Sequence, residues 1–246
     1  MELTVVGCDG SWPGPGGTGS CYLVQHDGFD LVLDLGGGAL GRLQEHIAIS
    51  DIGAIAISHP HPDHYTDLLQ LSIALHWGAH GSTAVPLFVP EGFFAHISGA
   101  LIPGTREAWE EAFEMREVLD RDEFNVGPFS VLASGTPHTD SSVGFRISAG
   151  GRALAYTGDT GPGETAVELA RGADLLLSEA THVDGDELDF HLTARQAAAY
   201  ATEAGVDRLV LTHLEPGVDP VRSLAEAREA FAGEITVASP GLRFAI

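Results

Sequence analysis

The sequence predicts an α/β fold with two central β-sheets and helices packed outside them. Two observations predict it. Short apolar runs bounded by Gly, Pro or Asp alternate with helical segments in both halves of the chain. No Ser/Pro linker, charge block, internal repeat or low-complexity tract divides those halves, so residues 1–246 read as a single domain.

The elements follow in chain order. LTVVG (3–7), CYLVQH (21–26), DLVLDLG (30–36) and IGAIAIS (52–58) are β-branched or Leu-rich runs of strand length. The glycine run LGGGAL (35–40) reads either as a tight turn into the next helix or as backbone able to approach a phosphate. YTDLLQLSIALHW is helical, and VPLFVP (85–90) is a strand. Thr105 is placed as the cap of a helix REAWEEAFEMREVL, whose Trp109 and Phe113 make one apolar stripe. FSVLAS (129–134), VGFRIS (143–148) and ALAYTG (153–158) are strands, the last two joined as a hairpin through Ala149-Gly150-Gly151-Arg152. DLLLSE (174–179) and RLVLTH (208–213) flank the helix ARQAAAYATEA, which opens on a Thr193/Gln196 capping box and stops at Gly205. Asp219-Pro220 opens VRSLAEAREAFA, Gly233 closes it, and EITVAS (234–239) is the last strand.

Charge narrows the function classes. There are 35 Asp+Glu against 12 Lys+Arg, every one of the 12 an Arg, for a net charge of −23. Such a field repels polyanions, so a large nucleic-acid partner is disfavoured; the acidity also serves solubility. No apolar run reaches the ~18 residues of a membrane span, so no membrane partner is expected. MELTVVGCDG has neither a basic n-region nor a long apolar h-region, and the expected compartment is the cytoplasm. Cys8 and Cys21 make no cysteine metal motif; they read as small buried fillers, with their pairing left open.

ISHPHPDHYTDL carries the chemistry. His59, His61, Asp63 and His64 leave one strand-to-helix turn that Pro60 and Pro62 stiffen. Neutral imidazole and carboxylate are the ligand set of zinc or a similar ion. A solvated His-rich turn does not explain four potential ligands in six residues. His138 in SGTPHTD, Asp159 in YTGDTG and His213 in VLTHLEP each follow an apolar strand as well, where α/β folds place chemistry. Seven candidate ligands exceed one tetrahedral zinc and suit two metals with a bridging carboxylate. His26, His46, His76, His80 and His96 lack ligand spacing and read as surface or loop residues. His182 has only its proximity to argue for it.

HPHPDH, TPHTD, TGDTG and LTHL, in that order, resemble the metallo-β-lactamase superfamily over nearly the whole chain. The resemblance implies a four-layer αββα sandwich with a dinuclear site at the sheet edges. His59, His61 and His138 would hold the first metal, Asp63, His64 and His213 the second, and Asp159 both. His61 stands where the redox diiron branch carries Glu, which favours hydrolytic Zn²⁺, with Mn²⁺ or Fe as alternatives. Within the superfamily, ADLLLSEAT and HLTARQAAAYATEAGVDRLVLTHL are most similar to the ribonuclease Z group, which includes phosphodiesterases of small substrates. His191 matches that group's extra histidine at the scissile phosphate, and it stands two residues before a helix cap, where an anion is favoured. Glu179 matches a carboxylate able to orient it.

The implied activity is hydrolysis of a small or short-nucleotide phosphodiester. Two ions lower the pKa of a bridging water toward about 7, Asp63 accepts from that nucleophile, and His191 assists at phosphorus. Only 20 residues separate His138 from Asp159, where ribonuclease Z carries its tRNA-gripping arm; the Pro-Lys-Arg-Asn loop also has no clear counterpart, and the chain contains no Lys. A small-molecule substrate is therefore expected rather than tRNA, with a homodimer possible. Alternatives are lactone, thioester or β-lactam hydrolysis at the same centre, and a non-catalytic metal-bound sensor or scaffold.

Overall fold

Strand after strand, the apolar runs assemble edge to edge. The computed structural model describes residues 1–78, 84–186 and 188–246. β1 (Glu2–Gly7), β2 (Cys21–His26), β3 (Phe29–Leu33), β4 (Ile52–Ala56), β5 (Val85–Pro90) and β6 (Phe113–Val118) belong to a first sheet. β7 (Glu123–Val126), β8 (Phe129–Gly135), β9 (Val143–Ala149), β10 (Arg152–Tyr156), β11 (Leu175–Glu179), β12 (Arg208–Thr212) and β13 (Glu234–Val237) form a second. β14 (Arg243–Ala245) returns to the first sheet, whose order is β14-β1-β2-β3-β4-β5-β6; the second runs β13-β12-β11-β10-β9-β8-β7.

Each sheet is antiparallel on one side and parallel on the other. β3 to β6 are parallel neighbours, as are β10 to β13. β8 reaches β10 through two antiparallel pairings, so its C-terminal end points the same way as theirs. The parallel arrangement therefore gathers the exits of β8, β10, β11 and β12 at one rim.

Helices α1 (Ala39–Leu43), α2 (Pro62–Tyr65), α3 (Asp67–Trp77), α4 (Phe93–Ile97) and α5 (Pro103–Ala112) accompany the first sheet; α6 (Thr165–Ala170), α7 (Ala194–Ala204) and α8 (Pro220–Arg228) accompany the second. Strand alternation sends one set of side chains inward and the other out. Leu3, Val5, Tyr22 and Leu33 meet Val131, Phe145, Ile147 and Leu177 between the sheets. Leu23, Val32, Ile55 and Leu87 pack outward on Leu68, Leu71 and Trp109. On the other side Ala155, Leu176 and Leu209 pack on Leu169, Ala197, Ala198 and Ala201, the alanines letting α7 lie close. Each buried Leu, Val or Phe contributes about 1.5–3 kcal/mol, and the three clusters together make an αββα sandwich. Among the described residues no helix is long and apolar enough to cross a membrane.

The caps of α7 are as expected: the Thr193/Gln196 box is closed on both sides, and Gly205 takes φ 69°. The Gly150-Gly151 hairpin also forms, both glycines at positive φ. Other elements differ. The helix expected through EMREVL ends at Ala112, and Phe113–Val118 is strand β6, the parallel neighbour of β5. Pairing of its backbone with β5 overrides the helical propensity of Glu, Met and Arg. Thr105 does not cap α5; Ile102 occupies that position, and the Thr105 hydroxyl donates to its carbonyl at 2.9 Å. Phe113 still meets the Trp109 ring, at 4.8 Å between centroids, but from the strand. α8 stops at Arg228, short of Gly233. β3 stops at Leu33 because Asp34 turns to φ 56°. β7 and β14 had no counterpart in the sequence reading. Cys8 and Cys21 are both buried free thiols. His80 lies outside the described residues.

Candidate metal centre

β4 delivers the histidine loop. After Ala56 the chain passes through Ser58 to His59, and His61 becomes the extended N-cap of α2 with Pro62 at its first position, where a missing N–H costs nothing. Asp63 and His64 therefore sit in the first turn of α2 and face the same way as the loop histidines. The glycine run supports them from behind. A Cβ on Gly36 would stand 1.8 Å from the carbonyl oxygen of Asp63, and one on Gly19 would stand 2.5 Å from it. Only bare backbone fits, and Ser20 N–H donates to that same carbonyl at 3.0 Å. The LGGGAL segment is thus a bed for the loop and the turn into α1.

The second sheet adds His138 beyond β8, Asp159 beyond β10 and His213 beyond β12. Two sets of ligand atoms result. His61 Nδ1 lies 3.1 Å from His59 Nε2 and 3.0 Å from His138 Nε2, with Asp159 Oδ2 at 3.5 Å from His59 Nε2 and 3.7 Å from His138 Nε2. His213 Nε2 lies 3.2 Å from His64 Nε2 and 3.1 Å from Asp63 Oδ2. Asp159 reaches this set too, Oδ1 to His64 Nε2 and Oδ2 to His213 Nε2, each at 3.4 Å.

Hydrogen bonding fixes which ring nitrogens are free. Tyr156 O–H, Ser58 O–H and His64 Nδ1–H all donate to Asp34 Oδ2, and Ser58 N–H donates to Oδ1. With its proton committed to Asp34, Ser58 Oγ accepts from His59 Nδ1–H at 3.0 Å. His138 Nδ1–H donates to the Phe190 carbonyl at 2.7 Å. Thr181 O–H donates to Glu179 Oε2 at 2.6 Å and accepts from His213 Nδ1–H at 2.8 Å. In their neutral forms, His59 and His138 turn an Nε2 lone pair toward His61 Nδ1, and His64 and His213 turn theirs toward each other. Lone pairs about 3 Å apart repel unless a cation lies between them, and tetrahedral Zn–N bonds of 2.0–2.1 Å place ligand nitrogens about 3.3 Å apart. Asp159 Oδ1 is buried without a hydrogen-bond partner, an orphan that a cation would satisfy. The donor set therefore fits divalent metal.

Electrostatics agree for three of the histidines. Burial holds His59, His61 and His138 below the ordinary imidazole range, reinforced by their neighbouring histidines, so they are neutral and able to ligate. Burial would lower His64 as well, but Asp159 and Asp34 outweigh it and raise it. Burial would raise Asp63 and Asp159, but the surrounding histidines hold both well below the carboxylate range.

Residues 29–214 match the beta-lactamase superfamily domain. The chain belongs to this superfamily. An uncharacterized protein of Mycobacterium tuberculosis is 34% identical over 96% of this chain and 88% of its own length. Ribonuclease Z of Methanopyrus kandleri is 30% identical, covering 98% of this chain and 96% of its own. The crystal structure of the metallo-beta-lactamase fold protein YhfI from Bacillus subtilis superposes with a TM-score of 0.90 at 25% identity, over 99% of this chain and 98% of that one. As a superfamily member with an intact His/Asp cluster, the chain is a metal-dependent hydrolase.

Glu179 and His191 are brought together beside the cluster. His191 Nδ1–H donates to Glu179 Oε1 at 2.9 Å. Burial would lower its pKa, but the Glu179 hydrogen bond and charge, with Asp159, raise it. His191 also lies close to Asp159 and His213, its Nδ1 4.0 Å from Asp159 Oδ2, but that nitrogen is committed to Glu179. At the α7 terminus Ala194 N–H donates to the His182 carbonyl and Gln196 N–H to Thr193 Oγ1, so two of its first N–H groups are already bonded. A cavity of about 360 Å³ opens over the cluster, lined by His61, Asp63, His138, Asp159 and His191 with Ser11, Pro62, Thr139 and Phe190. Asp34, Ser58 and Thr181 escaped the sequence reading. Asp34 carried the same signal as Asp159, a carboxylate ending an apolar run; Thr181 carried none.

Proposed function

We propose that the chain hydrolyses the phosphodiester of a small molecule or short nucleotide with two divalent ions. His59, His61 and His138 would hold one ion, Asp63, His64 and His213 the other, and Asp159 both. The single observation that carries the two-ion reading is Asp159, whose oxygens reach both sets while Oδ1 has no other partner. Imidazole at position 61 favours Zn²⁺, with Mn²⁺ or Fe as alternatives. Bound there, the ions supply Lewis acidity toward the ester and a nucleophilic water at neutral pH. Asp63 accepts a hydrogen bond from the attacking water. His191, whose pKa Glu179 raises, stabilises charge on the phosphoryl oxygens or gives its Nε2 proton to the leaving oxygen.

Substrate size is argued from the connection between His138 and Asp159. Its 20 residues are used by a short loop and the β9–β10 hairpin, leaving none for an RNA-gripping arm there. The net charge of −23 further opposes a polyanion. A panel on the zinc-loaded protein tests this: bis-p-nitrophenyl phosphate, 2′,3′-cyclic nucleotides, a lactone, nitrocefin and precursor tRNA, at low and high salt. Diester turnover with negligible tRNA processing is expected. Turnover of the lactone or nitrocefin alone overturns the phosphodiester reading, and efficient tRNA processing at low salt overturns the size argument.

A further inference from the structure

One wall of the cavity is built from a residue that this chemistry does not use. Phe190 lines the opening with 47% of its surface exposed. Its ring stands 5.2 Å from that of His191 and 6.2 Å from that of His138. Isolated apolar residues on a surface are ordinary, but the backbone beneath this one is pinned. Its carbonyl accepts from His138 Nδ1–H, Leu188 and His191 form a bridge around it, and Leu192 N–H donates to Glu179 Oε2. The preceding carbonyl, that of Asp189, lies against Gly161, where a Cβ would approach it to 2.0 Å. The ring is therefore an exposed apolar face on a fixed base.

The remaining lining sharpens its use. Beyond the candidate ligands and His191, the described residues of the wall are Ser11, Pro62, Thr139 and Phe190, with no Arg among them. The part of a substrate that does not react finds no cationic side chain there to pair with. What the wall offers is a flat aromatic surface beside the histidine proposed to act on the phosphoryl or the leaving oxygen.

We propose that Phe190 determines specificity by stacking the nucleobase of a nucleotide phosphodiester on the leaving-group side of the site. This inference rests on the phosphodiester reading above. Base–aromatic stacking is lost on alanine substitution at about 1–3 kcal/mol per base, which corresponds to about 5- to 150-fold in affinity.

The test compares adenosine 5′-monophosphate with ribose 5-phosphate by calorimetry on the zinc-loaded protein. The phosphate is common to both, so their affinity ratio isolates the base. The wild type should prefer the nucleotide by about 5- to 150-fold. Phe190→Ala and Phe190→Leu should bring the ratio toward one, and Phe190→Trp should keep it. A wild type without preference, or a ratio unchanged in Phe190→Ala, overturns the proposal. Equal weakening of both ligands also overturns it, since Phe190 would then act by positioning His138. A Phe190→Ala that converts a dimer to a monomer in sedimentation overturns it too, assigning the ring to self-association. Failure of the underlying reading looks different: the wild type would then turn over none of the diesters in the panel, whatever the binding ratio.

Discussion

The first sheet delivers four of the candidate ligands from one loop, whereas the second delivers three singly, from the ends of β8, β10 and β12. Beneath each contribution lies one buried carboxylate, and the two differ in reach. Asp34 holds His64 directly and His59 through Ser58, so it orients a member of each ligand set. Glu179 holds His213 through Thr181 but spends its other oxygen on His191. The first sheet thus supplies rigidity, and the second supplies rigidity together with the histidine proposed as proton donor.

The largest test of this division is the residue the halves share. Asp159→Ala should lose metal and activity together, falling from near two equivalents of Zn, Mn and Fe combined by elemental analysis to one or fewer. A wild type that stays at or below one equivalent after reconstitution would rule out the two-ion arrangement.

His191→Ala probes the proposed proton donor alone. It should keep both metals and slow diester cleavage by about 10²–10⁴-fold. Loss of metal would make His191 a ligand, and full activity would remove it from the chemistry.

The supports come next. Removing the hydrogen-bond partner of a metal-bound histidine costs about 10–100-fold in metal affinity or activity. Asp34→Asn should weaken both metals, since its amide cannot accept from every donor now pointing at it. Thr181→Val should weaken only the ion at His213. Competition with a chromogenic chelator distinguishes them, and equal loss at both ions in Thr181→Val would erase the contrast between the halves.

The smallest effect is that of loop stiffness. Pro62→Ala should lower stability by about 0.4–1 kcal/mol through a looser unfolded chain, read by thermal melting of the metal-free protein, with metal stoichiometry unchanged.

The same contrast governs what could be read from the residues. The four ligands of the first sheet are neighbours in the chain, so HPHPDH was legible directly. His138, Asp159 and His213 were legible as ligand types after apolar strands, but their convergence depends on the parallel order of β10, β11 and β12. The capping box of α7 and the diglycine hairpin were legible because their signals are local. β6 was not: Glu114, Arg116 and Glu117 are exposed on its edge, and only Phe113 and Val118 are buried, so its composition imitates a helix. Asp34 was missed because an Asp after DLVL reads as a turn residue until four donors are seen to meet on it. Phe190 was missed because an exposed aromatic in a loop has no periodicity to mark it.

The glycines behind Asp63 have a mechanical consequence. The loop that carries four candidate ligands rests on main chain alone, with no side chain as a spacer between Gly19, Gly36 and the Asp63 carbonyl. One methyl group at position 36 would act as a shim under the first turn of α2, tilting it and pulling one set of ligand atoms away from the other. A displacement of 1 Å at a reacting centre can cost about 10²-fold in rate, so this tolerance is held by a buried layer of main chain behind the ligands.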